Sequence, residues 1–201
     1  MSSCCLVYTS YSPCEPTALA QSWPDTVKRI PHMPKDQSDR FSSVAKQVGE
    51  LLKDHGSRLT TVESCTGGWI AQSVTAVAGS SAWFERGFIT YSNEAKQELV
   101  GVPDLLIIEN GAVSGPVARA MARGGLDHSP ADVAVAVTGV AGPDGGSAEK
   151  PVGTVFVSWA LRSGALRTER FLFEGDRTAV RAQTVVEALG GLIRFIRDES
   201  D

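Results

Sequence analysis

Apolar positions along the chain recur at distinct spacings, and each spacing predicts a different element. In FSSVAKQVGELLKDH, residues 41–55, Phe41, Val44, Ala45, Val48, Leu51 and Leu52 recur every three or four residues, the period of a helix with one buried face. Gly56 follows the last of them and predicts the stop. RLTTVES is a short β-branched run of strand type, and it leads directly into CTGGWIAQSVTAVAG, which reads as a helix ended by Gly79. GFITYS predicts a second strand, and NEAKQELVG a helix with Asn93 as N-cap and Gly101 at its end. Residues 115–125, GPVARAMARGG, predict another helix, with Ser114 as cap and Pro116 in the first turn. ADVAVAVTG is almost unbroken in its apolar character, as expected of a central strand covered on both faces. After the glycine loop VAGPDGGSAEKP, TVFVSWALR and ALRTERFLF predict a hairpin around Ser163 and Gly164. Asp176 then caps an amphipathic helix that runs to Arg197.

Helices between strands imply parallel pairing, and the late hairpin adds an antiparallel member. The predicted class is α/β, a three-layer α/β/α fold with a mixed, mostly parallel sheet.

The distribution of Gly and Pro sets the domain boundary. Residues 1–40 hold five of the 10 prolines, three of the four cysteines and none of the 20 glycines. A packed domain uses Gly where φ must be positive, so this segment reads as an irregular, disordered leader. Residues 41–201 then form one domain, long enough to bury a core. Only Cys65 falls in that domain, so it has no internal disulfide, which suits a reducing cytoplasm. All of the net charge of −4 lies there too, which argues against a nucleic-acid partner. No run approaches the roughly 20 apolar residues that span a bilayer, so no membrane partner is expected.

Chemistry is expected where strands end and glycines gather. Three segments qualify: Glu63 to Gly68 (ESCTGG), Tyr91 to Lys96 (YSNEAK) and Thr138 to Ser147 (TGVAGPDGGS). In the first, Ser64 is either a helix N-cap or a nucleophile, and the amides of Thr66, Gly67 and Gly68 are open donors for an anion or oxyanion. In the second, Lys96 is a solvated surface charge unless it is buried beside a nucleophile, where desolvation makes it a base. The third, with Gly139, Gly142, Gly145 and Gly146, is a connector or a backbone nest for phosphate. His32, His55 and His128 all stand away from these segments, so neither a Ser-His-Asp site nor a His/Cys metal site is expected.

These segments carry a resemblance. TVESCTGGWIAQSVTAVAGSSAWFERGFITYSNEAK, GAVS, AVAVTGVAGPDGGSAEKPVGTVFVSWA and FEGDRTAVRAQTV, in this order, resemble the CinA C-terminal domain family over about residues 42–197. Its characterised members include PncC-type nicotinamide-nucleotide amidases. The resemblance implies an amidohydrolase that converts nicotinamide mononucleotide to nicotinate mononucleotide and ammonia in pyridine-nucleotide recycling. It also implies a homo-oligomer, a dimer, with neither metal nor cofactor. On this chain Ser64 would be the nucleophile, Lys96 its base, and Tyr91 would assist proton transfer or position substrate. Thr66, Gly67 and Gly68 would hold the oxyanion. Thr138, Gly139, Gly142, Gly145, Gly146, Arg177 and Arg181 would surround the ribose phosphate. Cys65 and Thr66 remain alternative nucleophiles. One departure stands out: after GAVS many relatives have Glu where this chain has Gly115. It supports the alternative, a non-catalytic nucleotide-binding or competence-related interaction module of the same fold.

Overall fold

The computed structural model describes residues 38–200. The expected leader, with Cys4, Cys5 and Cys14, lies outside the described residues except for 38–40, which open the first helix. The elements are α1 (Ser38–Asp54), β1 (Leu59–Glu63), α2 (Trp69–Thr75), β2 (Phe84–Ile89), α3 (Asn93–Val100), α4 (Asp104–Asn110), α5 (Gly115–Asp127), β3 (Val133–Gly139), β4 (Thr154–Leu161), β5 (Leu166–Leu172) and α6 (Arg177–Asp198). A single 3-10 turn, Ser80–Ala82, precedes β2.

The five strands form one sheet in the order β2-β1-β3-β4-β5. β1 pairs in parallel with β2 and with β3, while the β3–β4 and β4–β5 pairs are antiparallel. β4 alone therefore runs against the other four strands, and the sheet is mixed and mostly parallel in direction, as the element order implies.

Alternation along β3 separates the two helical layers. Val133, Val135 and Val137 pack into one apolar cluster with α1, α2 and α6. Ala134 and Ala136 pack into the other, with α3 and α5. Small residues on that second face let α5 lie close to the sheet: a Cβ at Gly125 would stand 2.6 Å from Val62 Cγ2. Among the described residues no helix is long and apolar enough to cross a membrane.

Several boundaries differ from the sequence reading. α2 is shorter than expected, because residues 65–68 form a turn ahead of it. β2 starts three residues earlier than GFITYS, and Gly87 sits inside it opposite Thr61. The cap of α3 is Ser92, whose Oγ accepts from the Ala95 amide at 3.0 Å, so Asn93 is the first helical residue instead. α4 was not anticipated: it buries only Ile107 and leaves Leu105 and Ile108 exposed.

This order puts the carboxyl ends of β1 and β3 side by side, with the chain leaving β1 toward β2 on the other flank. An open α/β sheet offers a crevice at such a reversal.

Candidate functional site

Ser64 is the first residue beyond β1, and its amide donates to Val137 O at 3.1 Å, which fixes it against β3. The chain then turns through Gly67 and Gly68, at φ values of 60° and 96° that glycine adopts without strain. Gly68, not Ser64, occupies the N-cap position of α2. The capping reading of Ser64 is not realised, and its hydroxyl is directed elsewhere.

The donors at the start of α2 are taken by Glu63. Its carboxylate, fully buried, accepts from Thr66 Oγ1 at 2.7 Å and from the amides of Gly68, Ile70 and Ala71 at 3.0, 3.0 and 2.8 Å. The Gly67 amide donates to Ser64 O at 3.1 Å. Gly67 and Gly68 therefore have no amide left for an oxyanion, which corrects the expectation for both. Among the described residues the amides of Cys65 and Thr66 donate to no other residue, that of Cys65 meeting only its own thiol, so Thr66 remains a candidate donor and Cys65 joins it. Glu63 opens the ESCTGG segment, but nothing in the sequence assigns it a role, since a carboxylate at a strand end resembles a surface residue.

Lys96 projects from α3 toward the same point and is 1% exposed. Its Nζ donates to Thr90 O at 2.9 Å, to Ser92 O and Ser64 Oγ at 3.3 Å, and to Tyr91 O at 3.4 Å. The three carbonyls aim the amine at the serine. Burial lowers the Lys96 pKa, with Cys65 and Glu94 opposing in a smaller degree. A lysine on a short helix is ordinarily solvated; this one is enclosed beside a hydroxyl, where desolvation shifts it toward the neutral form.

Cys65 sits in the larger apolar cluster. Burial pushes its thiol up to about 12, and the Glu63 charge adds to this while Arg181 and Lys96 oppose it. Such a thiol holds little thiolate, so it would depend on a base as a hydroxyl does, and the amine of Lys96 contacts Ser64 Oγ.

A cleft of about 200 Å³ opens over this pair; Ser64, Lys96, Tyr91, Asn93, Thr138 and Arg177 are among its walls. Tyr91 is 62% exposed, and its phenol oxygen accepts from Arg177 Nη2 at 3.1 Å. That places the phenol at the rim, away from the lysine, which the Tyr91 carbonyl touches instead. Arg177 Nη1 donates to Gly142 O at 2.8 Å, so the guanidinium bridges the glycine loop and Tyr91.

Not every expected residue reaches the cleft. Thr138 and Gly139 line it, and the Thr138 hydroxyl also donates to Ala112 O at 2.8 Å. Gly142 contributes its carbonyl to Arg177, but a Cβ there would point at Val152. Gly145 and Gly146 are exposed and lie against Val140 and Val152, outside the cleft walls, because the loop folds back on itself. Arg181 stands behind the turn: it donates to Cys65 O at 3.1 Å and Thr66 O at 2.8 Å, and its guanidinium lies 5.2 Å from the Trp69 ring centre. Gly115 is likewise off the cleft, and a Cβ there would face Arg119 and Phe156 at 3.7 Å. Asn93, Ala112 and Val113 also line the cleft; they fall within YSNEAK and GAVS, but the sequence assigned none of them a role in the site.

A family model described as the CinA C-terminal domain matches residues 41–196. The chain belongs to the CinA C-terminal domain family. Similar curated relatives include the nicotinamide-nucleotide amidohydrolase PncC of Escherichia coli, 55% identical over 146 residues, which are 73% of this chain and 88% of that protein. The enzyme of the same name from Pseudomonas putida is 53% identical over 157 residues, 78% of this chain and 98% of that protein. Among solved structures, the competence/damage inducible protein CihA from Agrobacterium tumefaciens matches with a TM-score of 0.77 at 41% identity, covering 83% of this chain and 99% of that one. The CinA resemblance read from the motifs and the α/β class are both borne out.

Proposed function

We propose that this CinA-family protein is a nicotinamide-nucleotide amidohydrolase that releases ammonia from the carboxamide of nicotinamide mononucleotide. The observation that carries this reading is the buried Lys96 Nζ, 3.3 Å from Ser64 Oγ, on the floor of an open cleft. The names of the relatives supply the substrate.

The chemistry follows from the positions. Neutral Lys96 takes the Ser64 proton as Oγ bonds to the carboxamide carbon. The carbonyl π pair moves onto oxygen, and the Cys65 and Thr66 amides receive the oxyanion. Collapse breaks the C–N bond, and the proton on Lys96 leaves with the nitrogen as ammonia. Water then attacks the acyl carbon, gives a proton to Lys96, and Ser64 leaves with that proton. Tyr91 and Arg177 hold the sugar phosphate at the rim, where Arg177 is exposed and its remaining donors suit an anion.

The test is to incubate the full chain with nicotinamide mononucleotide and follow ammonia and nicotinate mononucleotide together. Equal amounts of both are expected. Tight binding with no product would overturn the reading in favour of a nucleotide-binding module.

A further inference from the structure

From Ser64 to Ala71 the backbone amides are nearly all engaged. Ser64 donates to Val137 O, Gly67 to Ser64 O and Trp69 to Thr66 O, while Gly68, Ile70 and Ala71 donate to the Glu63 carboxylate. Among the described residues only the amides of Cys65 and Thr66 donate to no other residue of this stretch or its neighbours. We infer that Glu63 is the positioning residue of this site. By drawing the α2 amides and the Thr66 hydroxyl onto its own carboxylate, it folds the turn so that the Cys65 and Thr66 amides stay open beside Ser64 Oγ. The inference rests on the proposed Ser64 chemistry and deepens it.

Three observations support this role. First, a carboxylate with four donors in a fully buried site is held rigidly, because each lost bond would strand a buried polar group. Second, the same residue fixes the base. Glu63 O accepts from the Thr90 amide at 2.8 Å and from Thr90 Oγ1 at 3.4 Å, and Thr90 O accepts from Lys96 Nζ at 2.9 Å. One residue thereby sets the distance between the nucleophile turn and the amine. Third, with a carboxylate already seated on its amides, the start of α2 offers nothing to a substrate phosphate. That directs the phosphate to the Arg177 rim and the reacting carbonyl to the turn.

Gln at this position is the informative change. It is close in size, but its NH₂ group would face amide donors that now meet an oxygen. Glu63→Gln in the full chain is therefore measured for kcat and KM with nicotinamide mononucleotide. The rate at which a fluorophosphonate labels Ser64 is measured beside them; there the Oγ–P bond forms, fluoride leaves and Lys96 takes the proton. Arg162→Ala serves as a folding control, since Arg162 ties the Leu126, Ser129 and Ala131 carbonyls at the opposite end of the sheet.

The expected result is a kcat lower by about 100-fold with KM within about three-fold, as for loss of an oxyanion donor. Labelling should slow in parallel, while Arg162→Ala lowers the thermal midpoint yet keeps kcat. A loss confined to KM, an unchanged kcat, or an equal kcat loss in Arg162→Ala overturns the inference. If Glu63→Gln does not fold, Thr66→Val removes one of the four donors with little change of shape, and a kcat loss of about ten-fold is expected. An unchanged kcat there overturns the inference equally. Should the wild-type chain label at Ser64 but release no ammonia, the substrate assignment falls and the labelling rates still decide the role of Glu63. Should it do neither, both readings fall.

Discussion

Replacing Cys65 by Ala separates the two side chains that compete for the role of nucleophile. A thiolate is intrinsically more reactive than a serine hydroxyl, and Cys65 adjoins Ser64 in the chain. Its surroundings remove that advantage. The side chain is 6% exposed within the apolar cluster, and burial pushes the thiol up to about 12. Moving the thiol from its ordinary 9.0 to about 12 leaves on the order of a thousandth of its usual thiolate near neutral pH, and Lys96 Nζ contacts Ser64 Oγ at 3.3 Å. Cys65→Ala should therefore release ammonia from nicotinamide mononucleotide at a kcat within about three-fold of wild type. Its thermal midpoint should fall by about 2–8 °C, from the small cavity left where the sulfur packed. A kcat loss of 100-fold or more, with an unchanged circular-dichroism spectrum, would refute the assignment of Ser64.

Other outcomes follow from the same geometry. Lys96 acts as base only when neutral, so activity rises with pH through its pKa. Because burial lowers that pKa, the midpoint of the kcat profile should lie below the ordinary lysine value of about 10.4. Folding stability shares the sign: the unfolded chain takes up the proton first as pH falls, so the lysine's contribution declines from the ordinary value down to the folded one. Arg177→Ala removes the charged wall of the rim and should raise KM about 10- to 100-fold while leaving kcat within a few-fold, in steady-state kinetics. Gly115→Ala adds a Cβ in ordinary van der Waals contact with Arg119 and Phe156 at the start of α5, with no positive φ to strain it. The thermal midpoint should rise by about 1–4 °C with kcat/KM unchanged, which also tests whether this departure from the family pattern touches the site.

Much of the architecture could be read from patterning alone, and the exceptions have physical causes. β3 announced itself because Val and Ala alternate without a polar break, and α6 because its cap and apolar stripe agree. α4 escaped because DLLIIEN is short and apolar on several sides, and Leu105 and Ile108 are exposed. α2 is shorter than expected because CTGG, residues 65–68, is poor in helix formers and its two positive-φ glycines turn the chain ahead of the helix. At the site, ESCTGG and YSNEAK pointed to Ser64 and Lys96, but only the fold brings residues 32 positions apart into contact. Spacing could not reveal that Glu63 turns inward and takes the helix amides, nor that Gly145 and Gly146 fold away from the cleft. The segment expected to form a leader, residues 1–40, lies outside the described residues except for 38–40.

The proposed mechanism requires Ser64 and Lys96 to act as one unit. Its most direct measurement is a double-mutant cycle on ammonia release, comparing Ser64→Ala, Lys96→Met and the pair. If the lysine serves only to activate the serine, each single change should cost at least about 1,000-fold in kcat, and the double variant should be no worse than the poorer single one. Losses that multiply in the double variant, or near-normal turnover in either single one, would contradict it.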